Sequence, residues 1–212
     1  EEIGRCRIFP PGWLENESIW LHMEYKFLLE LLRCGLCEEF YENFQRVLIP
    51  FLKPQQYGRS ILENSSFIVS SAHEDHALHG QGFVARLSGS TAEFLHIWLW
   101  MNVGKRPFRL DRDGQLTFTL EPALPGWLFT QDAVNGFPKN SYAFLLFGTT
   151  KVIYHNPQRK NTFGTNCCRI RQIRLTYPGR KNPVMLSSAV IPAPYSNDIR
   201  ERKVERIDVI WE

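Results

Sequence analysis

Between Phe94 and Met101 the chain offers one polar side chain, His96, among Leu95, Ile97, Leu99 and the aromatic rings of Phe94, Trp98 and Trp100. A helix apolar almost all the way round has no face to give to water, so this run predicts a helix enclosed by other elements. Both of its ends are marked. Ser90 followed by Glu93 is a capping-box signature: the serine hydroxyl takes an orphan N–H of the first turn and the glutamate reaches back to the cap. Gly104 supplies a left-handed residue past the last turn, Lys105 and Arg106 suit the negative end of the dipole, and Pro107 forbids continuation. The loop ahead, Gly80-Gln81-Gly82 and then Arg86-Leu87-Ser88-Gly89, therefore ends at a helix N-terminus beside small side chains and one arginine. Free N–H groups in that setting make an anion site. The same glycines also serve a plain tight turn above a core helix, and local chemistry leaves both readings open.

A chain of 212 residues can form one domain or two and bury a sizeable core. Its 43% hydrophobic and 13% aromatic content is globular, and no uncharged apolar run reaches membrane-spanning length. A net charge of +3 is too weak to argue for a nucleic-acid partner. The cysteines Cys6, Cys34, Cys37, Cys167 and Cys168 are odd in number and include an adjacent pair, which fits a reducing compartment, the cytoplasm, better than a disulfide framework. Cys34 and Cys37 have redox spacing, but no strand precedes them, and the expectation is core thiols. The opening Gly4-Arg5-Cys6-Arg7-Ile8-Phe9, without initiator methionine or leader, reads as sequence already in mid-fold and sets the expectation of the C-terminal portion of a longer chain.

In chain order, Asn16 or Ser18 is expected to cap a helix reaching Cys34 and stopped by Gly35. Trp20, Met23, Phe27, Leu28, Leu31 and Leu32 form its apolar stripe. A second helix runs from Cys37 to about Ile49, with Phe40, Phe44, Val47 and Leu48 inward, and so tight a connection makes an αα-hairpin. Residues 53–79 form a long excursion with one short element expected at Ser65–Ser71. His73, His76 and His79 lie in it with acids between them; with no further Cys/His set at ligand spacing, the expectation is a solvated polar loop and no metal.

After Pro107 the pattern turns to strands: Gln115–Leu120, Gly126–Thr130, Tyr142–Phe147, Lys151–Asn156, Arg169–Tyr177, Pro183–Ile191 and Lys203–Trp211. Turn signals such as Asp113-Gly114, Asn135-Gly136 and Pro178-Gly179 separate them. Short strands at this spacing predict an antiparallel β-sandwich over 107–212, after a helical piece over 1–106.

Three motifs occur in a telling order: Asn16-Glu17-Ser18-Ile19-Trp20-Leu21-His22, then Gly80-Gln81-Gly82 with Arg86-Leu87-Ser88-Gly89-Ser90, then Leu120-Glu121-Pro122-Ala123-Leu124-Pro125-Gly126-Trp127 followed by Tyr154-His155-Asn156-Pro157. This resembles the C-terminal part of the inverting glycoside phosphorylases of the cellobiose phosphorylase type, glycoside hydrolase family 94 and relatives, over most of the chain to about residue 157. The resemblance implies the later part of an (α/α)6 catalytic barrel over 1–106, followed by the β-sandwich. It implies phosphate contacts from His22 and from Ser88-Gly89, where serine stands for the family's threonine. Arg86 and Arg59 are further candidates for holding the anion. Glu63 is the nearest match to a glutamate of the sugar pocket, although Asn64-Ser65 replace the family's residues. Trp13 and Trp20 are candidate sugar platforms.

The implied reaction is phosphorolysis of β-linked glucosides or gluco-oligosaccharides to a sugar 1-phosphate. No cofactor is required; inorganic phosphate is the co-substrate. The family's general acid, an aspartate, matches no residue of this chain, so no catalytic residue is assigned here and the remainder of the barrel becomes an expected partner. Residues 1–106 are then expected to expose apolar surface, met by that remainder or by self-association into a homo-oligomer. Two alternatives stay open: an inverting hydrolase of the same fold with Glu63 as the only local base, and a non-enzymatic carbohydrate-binding or interaction module centred on the β-sandwich.

Overall fold

The computed structural model describes residues 4–84 and 90–212, with the side chains of Ser90 and Thr91 left aside. It divides into two compact units, Glu1–Trp98 and Leu99–Glu212. The boundary falls inside a helix rather than at the composition change near residue 107.

In the first unit a short strand β1 (Ile19–Trp20) runs directly into helix α1 (Leu21–Arg33). Gly35, at φ 77°, makes the reversal into α2 (Cys37–Val47), as its position past the last helical turn requires. The single-turn α3 (Pro54–Tyr57) and strands β2 (Phe67–Ile68) and β3 (Gly82–Phe83) follow, before α4 (Ser90–Asn102). β1, β2 and β3 form an antiparallel sheet in that order, pairing Trp20 with Phe67 and Phe67 with Phe83. Leu21, Leu28, Phe40, Phe44, Tyr57 and Phe67 are fully enclosed and make the core. Each such side chain stabilises the unit by about 1.5–3 kcal/mol relative to exposure.

The expected (α/α)6 barrel, in part or whole, is not what the chain forms. Among the described residues one αα-hairpin packs with a small β-sheet, and the whole is a mixed α/β protein. The reason lies in the excursion at 53–83. Its Phe67-Ile68, both β-formers, pair with Ile19–Trp20 on one side and with Gly82-Phe83 on the other, so the polar groups at the mouth of α1 are met by a sheet rather than by further hairpins. Three smaller expectations fail with it. Neither Asn16 nor Ser18 caps α1: the N-cap position is Trp20, at the end of β1, whose side chain makes no capping bond. Cys34 is exposed at the helix C-cap rather than a core thiol. The apolar run of α4 is not enclosed all round, since Ile97 is buried while Leu95 is 60% exposed. Apolar surface is open elsewhere in this unit, at Met23, Phe27, Phe51 and Leu62.

The second unit carries β4 (Phe108–Leu110), β5 (Leu116–Thr119), β6 (Ser141–Leu146), β7 (Thr150–His155), β8 (Ile170–Thr176), β9 (Val184–Leu186), β10 (Val190–Ile191), helix α5 (Tyr195–Arg200) and β11 (Arg206–Trp211). One sheet has the order β10-β5-β4 and the other β6-β7-β11-β8-β9. The larger sheet is mixed rather than wholly antiparallel, because β11 inserts between β7 and β8 and runs parallel to β7. Ile207, Val209 and Trp211 face one way into the core with Val152, Tyr154, Ile173 and Leu175. The Tyr154 hydroxyl, fully buried, donates to the Asn102 carbonyl at 2.5 Å. The expected strand at Gly126–Thr130 is instead a single 3-10 turn, Gly126–Leu128. A Cβ at Gly126 would collide with the Arg159 carbonyl, so glycine is required there. No helix among the described residues is long and apolar enough to cross a membrane.

Asp208, central in β11, is buried and accepts from His155 Nε2 at 2.7 Å and from Arg206 Nη2 at 2.6 Å. Burial pushes its carboxyl pKa up, but these two donors and their charge outweigh burial and hold it below its ordinary value. A depressed carboxyl pKa adds stability above the unfolded-state value, and that stability is lost as pH falls through the folded-state value. Asp208→Asn is expected to cost about 1–3 kcal/mol at neutral pH and to flatten the acid limb of a thermal-unfolding profile. A second expectation concerns Gly82, whose added Cβ would land on the Tyr57 ring and the Ser65 hydroxyl. Gly82→Ala should lower the urea midpoint, equivalent to about 1–3 kcal/mol of overpacking.

Candidate functional site

The three-stranded sheet of the first unit gathers most of the residues singled out between Trp13 and Glu63. Its geometry starts at Ser66. The Leu21 amide donates to the Ser66 carbonyl at 3.1 Å, while the Ser66 amide and hydroxyl both donate to the Val84 carbonyl at 2.9 Å. Two strand spacings, about 10 Å, therefore separate the start of α1 from Val84.

His22 is the second residue of α1, half-buried, with its ring edge-on to Trp20 at 5.8 Å between centroids. Trp20 is anchored by its indole N–H to the Leu14 carbonyl at 2.9 Å and packs on Phe67 at 5.6 Å. Trp13 lies against Phe83, Phe67 and His73 at 4.6, 5.3 and 6.0 Å. These contacts make Trp13 and Trp20 supports of the sheet, and Trp20 also an aromatic surface beside His22.

Arg59 and Glu63 sit on the loop that follows α3. The Arg59 guanidinium donates through Nε to the Gly82 carbonyl at 2.6 Å, and its Nη1 reaches Glu63 Oε2 at 3.4 Å. With both side chains substantially exposed, this ion pair contributes little stability. Its effect is geometric, tying the loop to β3 with guanidinium N–H groups to spare. Arg86, Ser88 and Gly89 lie outside the described residues.

Tyr57 is the residue that sequence reading passed over. Its ring is fully buried, and its hydroxyl donates to the Glu63 carbonyl at 2.7 Å, accepts from the Ser65 amide at 3.0 Å and meets the Ser65 hydroxyl at 2.5 Å. Burial raises its pKa, so the hydroxyl keeps its proton for these bonds. The only hint in the sequence was the tyrosine's place in a Pro-initiated turn ahead of Gly58.

Two carboxylic acids also come into view. Burial pushes the Glu24 carboxyl above its ordinary value. Glu24 stands two residues from His22 on α1, a spacing that places the two side chains on different faces. Glu93, read as the second half of a capping box, has a buried Oε2 with no hydrogen-bond partner among the described residues. His73, His76 and His79 are engaged locally: Asp75 N–H donates to His73 Nδ1 at 3.0 Å, and His79 Nε2 lies 2.7 Å from the His73 carbonyl. Among the described residues no group of three or more His, Cys, Asp or Glu is arranged to hold a metal ion.

A scan against protein-family models and a search of curated proteins return no match to this chain.

Removing the Tyr57 hydroxyl leaves the Ser65 amide and hydroxyl without their buried partner. Tyr57→Phe is expected to cost about 1–3 kcal/mol. Hydrogen exchange at the Ser65 amide should accelerate more than exchange in α1 or α2, because the bond lost is local.

Proposed function

We propose that the first unit contributes an oxyanion and sugar site to a carbohydrate-active enzyme that cleaves β-glucosides with inorganic phosphate, inverting the anomeric centre and releasing a sugar 1-phosphate. The observation that carries this reading is the Leu21–Ser66–Val84 hydrogen-bonded step. It sets His22 about two strand spacings from the point where the chain leads toward Ser88, Gly89 and α4. Arg59, bound to β3, adds a fixed guanidinium to the same sheet. Arg86, Ser88 and Gly89 enter the reading from sequence alone.

The chemistry asks for no more than this from such a unit. Phosphate arrives already ionised and is itself the nucleophile, so no base is needed to activate it. The protein must hold the anion below the anomeric carbon and neutralise its charge, which an imidazole, a guanidinium, a hydroxyl and backbone N–H groups accomplish. Trp20, next to His22, and Trp13 on the same sheet offer apolar rings suited to the C–H face of a pyranose. Glu63, anchored by Arg59, is placed to accept from sugar hydroxyls. The proton for the leaving oxygen comes from an acid outside this chain, so the unit works with a partner segment that brings it. The charge and cysteine use fit the cytoplasm, where phosphate is plentiful.

An inverting hydrolase would instead use Glu63 to activate water. The ratio of sugar 1-phosphate to free sugar separates the two. The complete polypeptide is expected to be inactive on β-gluco-oligosaccharides without phosphate and to give sugar 1-phosphate with it. His22→Ala is expected to lower phosphate-dependent turnover by about 10²-fold, the usual cost of one lost oxyanion donor. Turnover indifferent to phosphate overturns the reading.

A further inference from the structure

The five-stranded sheet of the second unit has one apolar face, and on the other a cluster of basic side chains lies around Asp208 among apolar residues such as Ile153 and Ile210. Residues level with one another in a ladder share a face, and alternate residues along a strand return to it. Arg206 stands level with Lys151, and Asp208 level with Arg174; His155 belongs to the next row of the same face, where its imidazole reaches Asp208. Two arginines, a lysine and a histidine thus share this face with one carboxylate.

That carboxylate is already committed. Asp208 Oδ1 receives both the His155 imidazole and the Arg206 guanidinium. Arg174, directly across the ladder from Asp208, forms no ion pair among the described residues. The Nε groups of Arg174 and Arg206 are both buried and, among the described residues, without a hydrogen-bond partner. A guanidinium carries five N–H donors in a fixed plane, and a buried donor left unpaired is costly. Two such groups on adjacent strands, held at half-buried positions, are an arrangement that an anion would complete.

The spacing suits one small anion. Arg174 and Arg206 are diagonal neighbours on adjacent antiparallel strands, about 7–8 Å apart at the backbone. Arms as long as arginine's can close on one tetrahedral oxyanion from that separation, each offering a fork of N–H groups. The bond to Asp208 fixes how Arg206 is presented, which makes Asp208 a positioning residue. Lys151, exposed beside Arg206, adds charge.

We propose that this face binds a phosphate-type oxyanion between Arg174 and Arg206. The site is separate from the one built on His22, and neither depends on the other. Arginine Nε–H resonances in an NMR titration of the chain with inorganic phosphate test it. The Arg174 and Arg206 signals, assigned by loss in Arg174→Gln and Arg206→Gln, are expected to move saturably. Arg174→Gln should weaken binding about ten-fold, as loss of a charge-assisted fork does, and Arg174→Lys should fall between the two. His22→Ala should leave these shifts unchanged, which keeps a failure here distinct from a failure of phosphorolysis. A parallel titration with phenyl phosphate tells the source: tighter binding than the free ion marks a phosphorylated organic ligand, weaker binding marks phosphate itself. Signals that do not move, or that move equally with chloride at matched ionic strength, overturn the proposal. So does unchanged affinity in a folded Arg174→Gln or, should that variant not fold, in Arg174→Lys.

Discussion

Ser66 ties the first unit together with all three polar atoms of one small residue. Its carbonyl receives the first amide of α1, one of the orphan donors that every helix must dispose of. Its own amide and hydroxyl grip Val84, across the sheet. A helix start that would otherwise need a side-chain cap is satisfied by a strand instead, and this explains why Trp20, which cannot cap, occupies the N-cap position. The neighbouring Ser65 performs the complementary task in the interior by satisfying the Tyr57 hydroxyl. Gly82 belongs to the same device: only hydrogen at its Cα leaves room for the Tyr57 ring.

The second unit solves a different problem. Its larger sheet buries one face on Tyr154, Ile173, Val209 and Trp211, and on the other it places charges inside a ladder. Burying Asp208 in the centre of a sheet is tolerable only because imidazole and guanidinium donors replace the water it loses. The surplus of cations around it is then a property of the face as a whole, not of any one residue.

Elements with a strong local period were legible in the sequence. The apolar period and the stop at Gly35 give α1 and the turn into α2, although of the expected stripe Leu28 and Leu32 are buried while Met23 and Phe27 are exposed, the buried face running through Leu21 and Tyr25 instead. The alternation in Ser141–Leu146, Thr150–His155 and Arg206–Trp211 gives strands. What the period could not give was pairing between distant short segments. β1, β2 and β3 are two residues each, too short for any alternation to register, and they hydrogen-bond across long stretches of chain. With these strands silent in the period, nothing in the sequence opposed the barrel that the resemblance implied. The site followed the same rule: His22, Arg59, Glu63 and the two tryptophans were visible as chemistry-bearing side chains, whereas Tyr57 and Ser65, which hold their loop in place, look like ordinary residues until they are seen in contact. Parallel pairing of β7 with β11 was equally hidden, since direction leaves no mark on alternation.

The placement of β11 has a consequence for how the second unit comes into being. The strand at the middle of the large sheet is the last of its strands in chain order, flanked by two that were synthesised well before it. Until residues 206–211 leave the ribosome, β7 and β8 each wait with an open edge, rich in apolar side chains and ready to pair with a stranger. Assembly of this sheet is thus a late insertion event, and a nascent chain paused short of Arg206 is the form most in need of a chaperone.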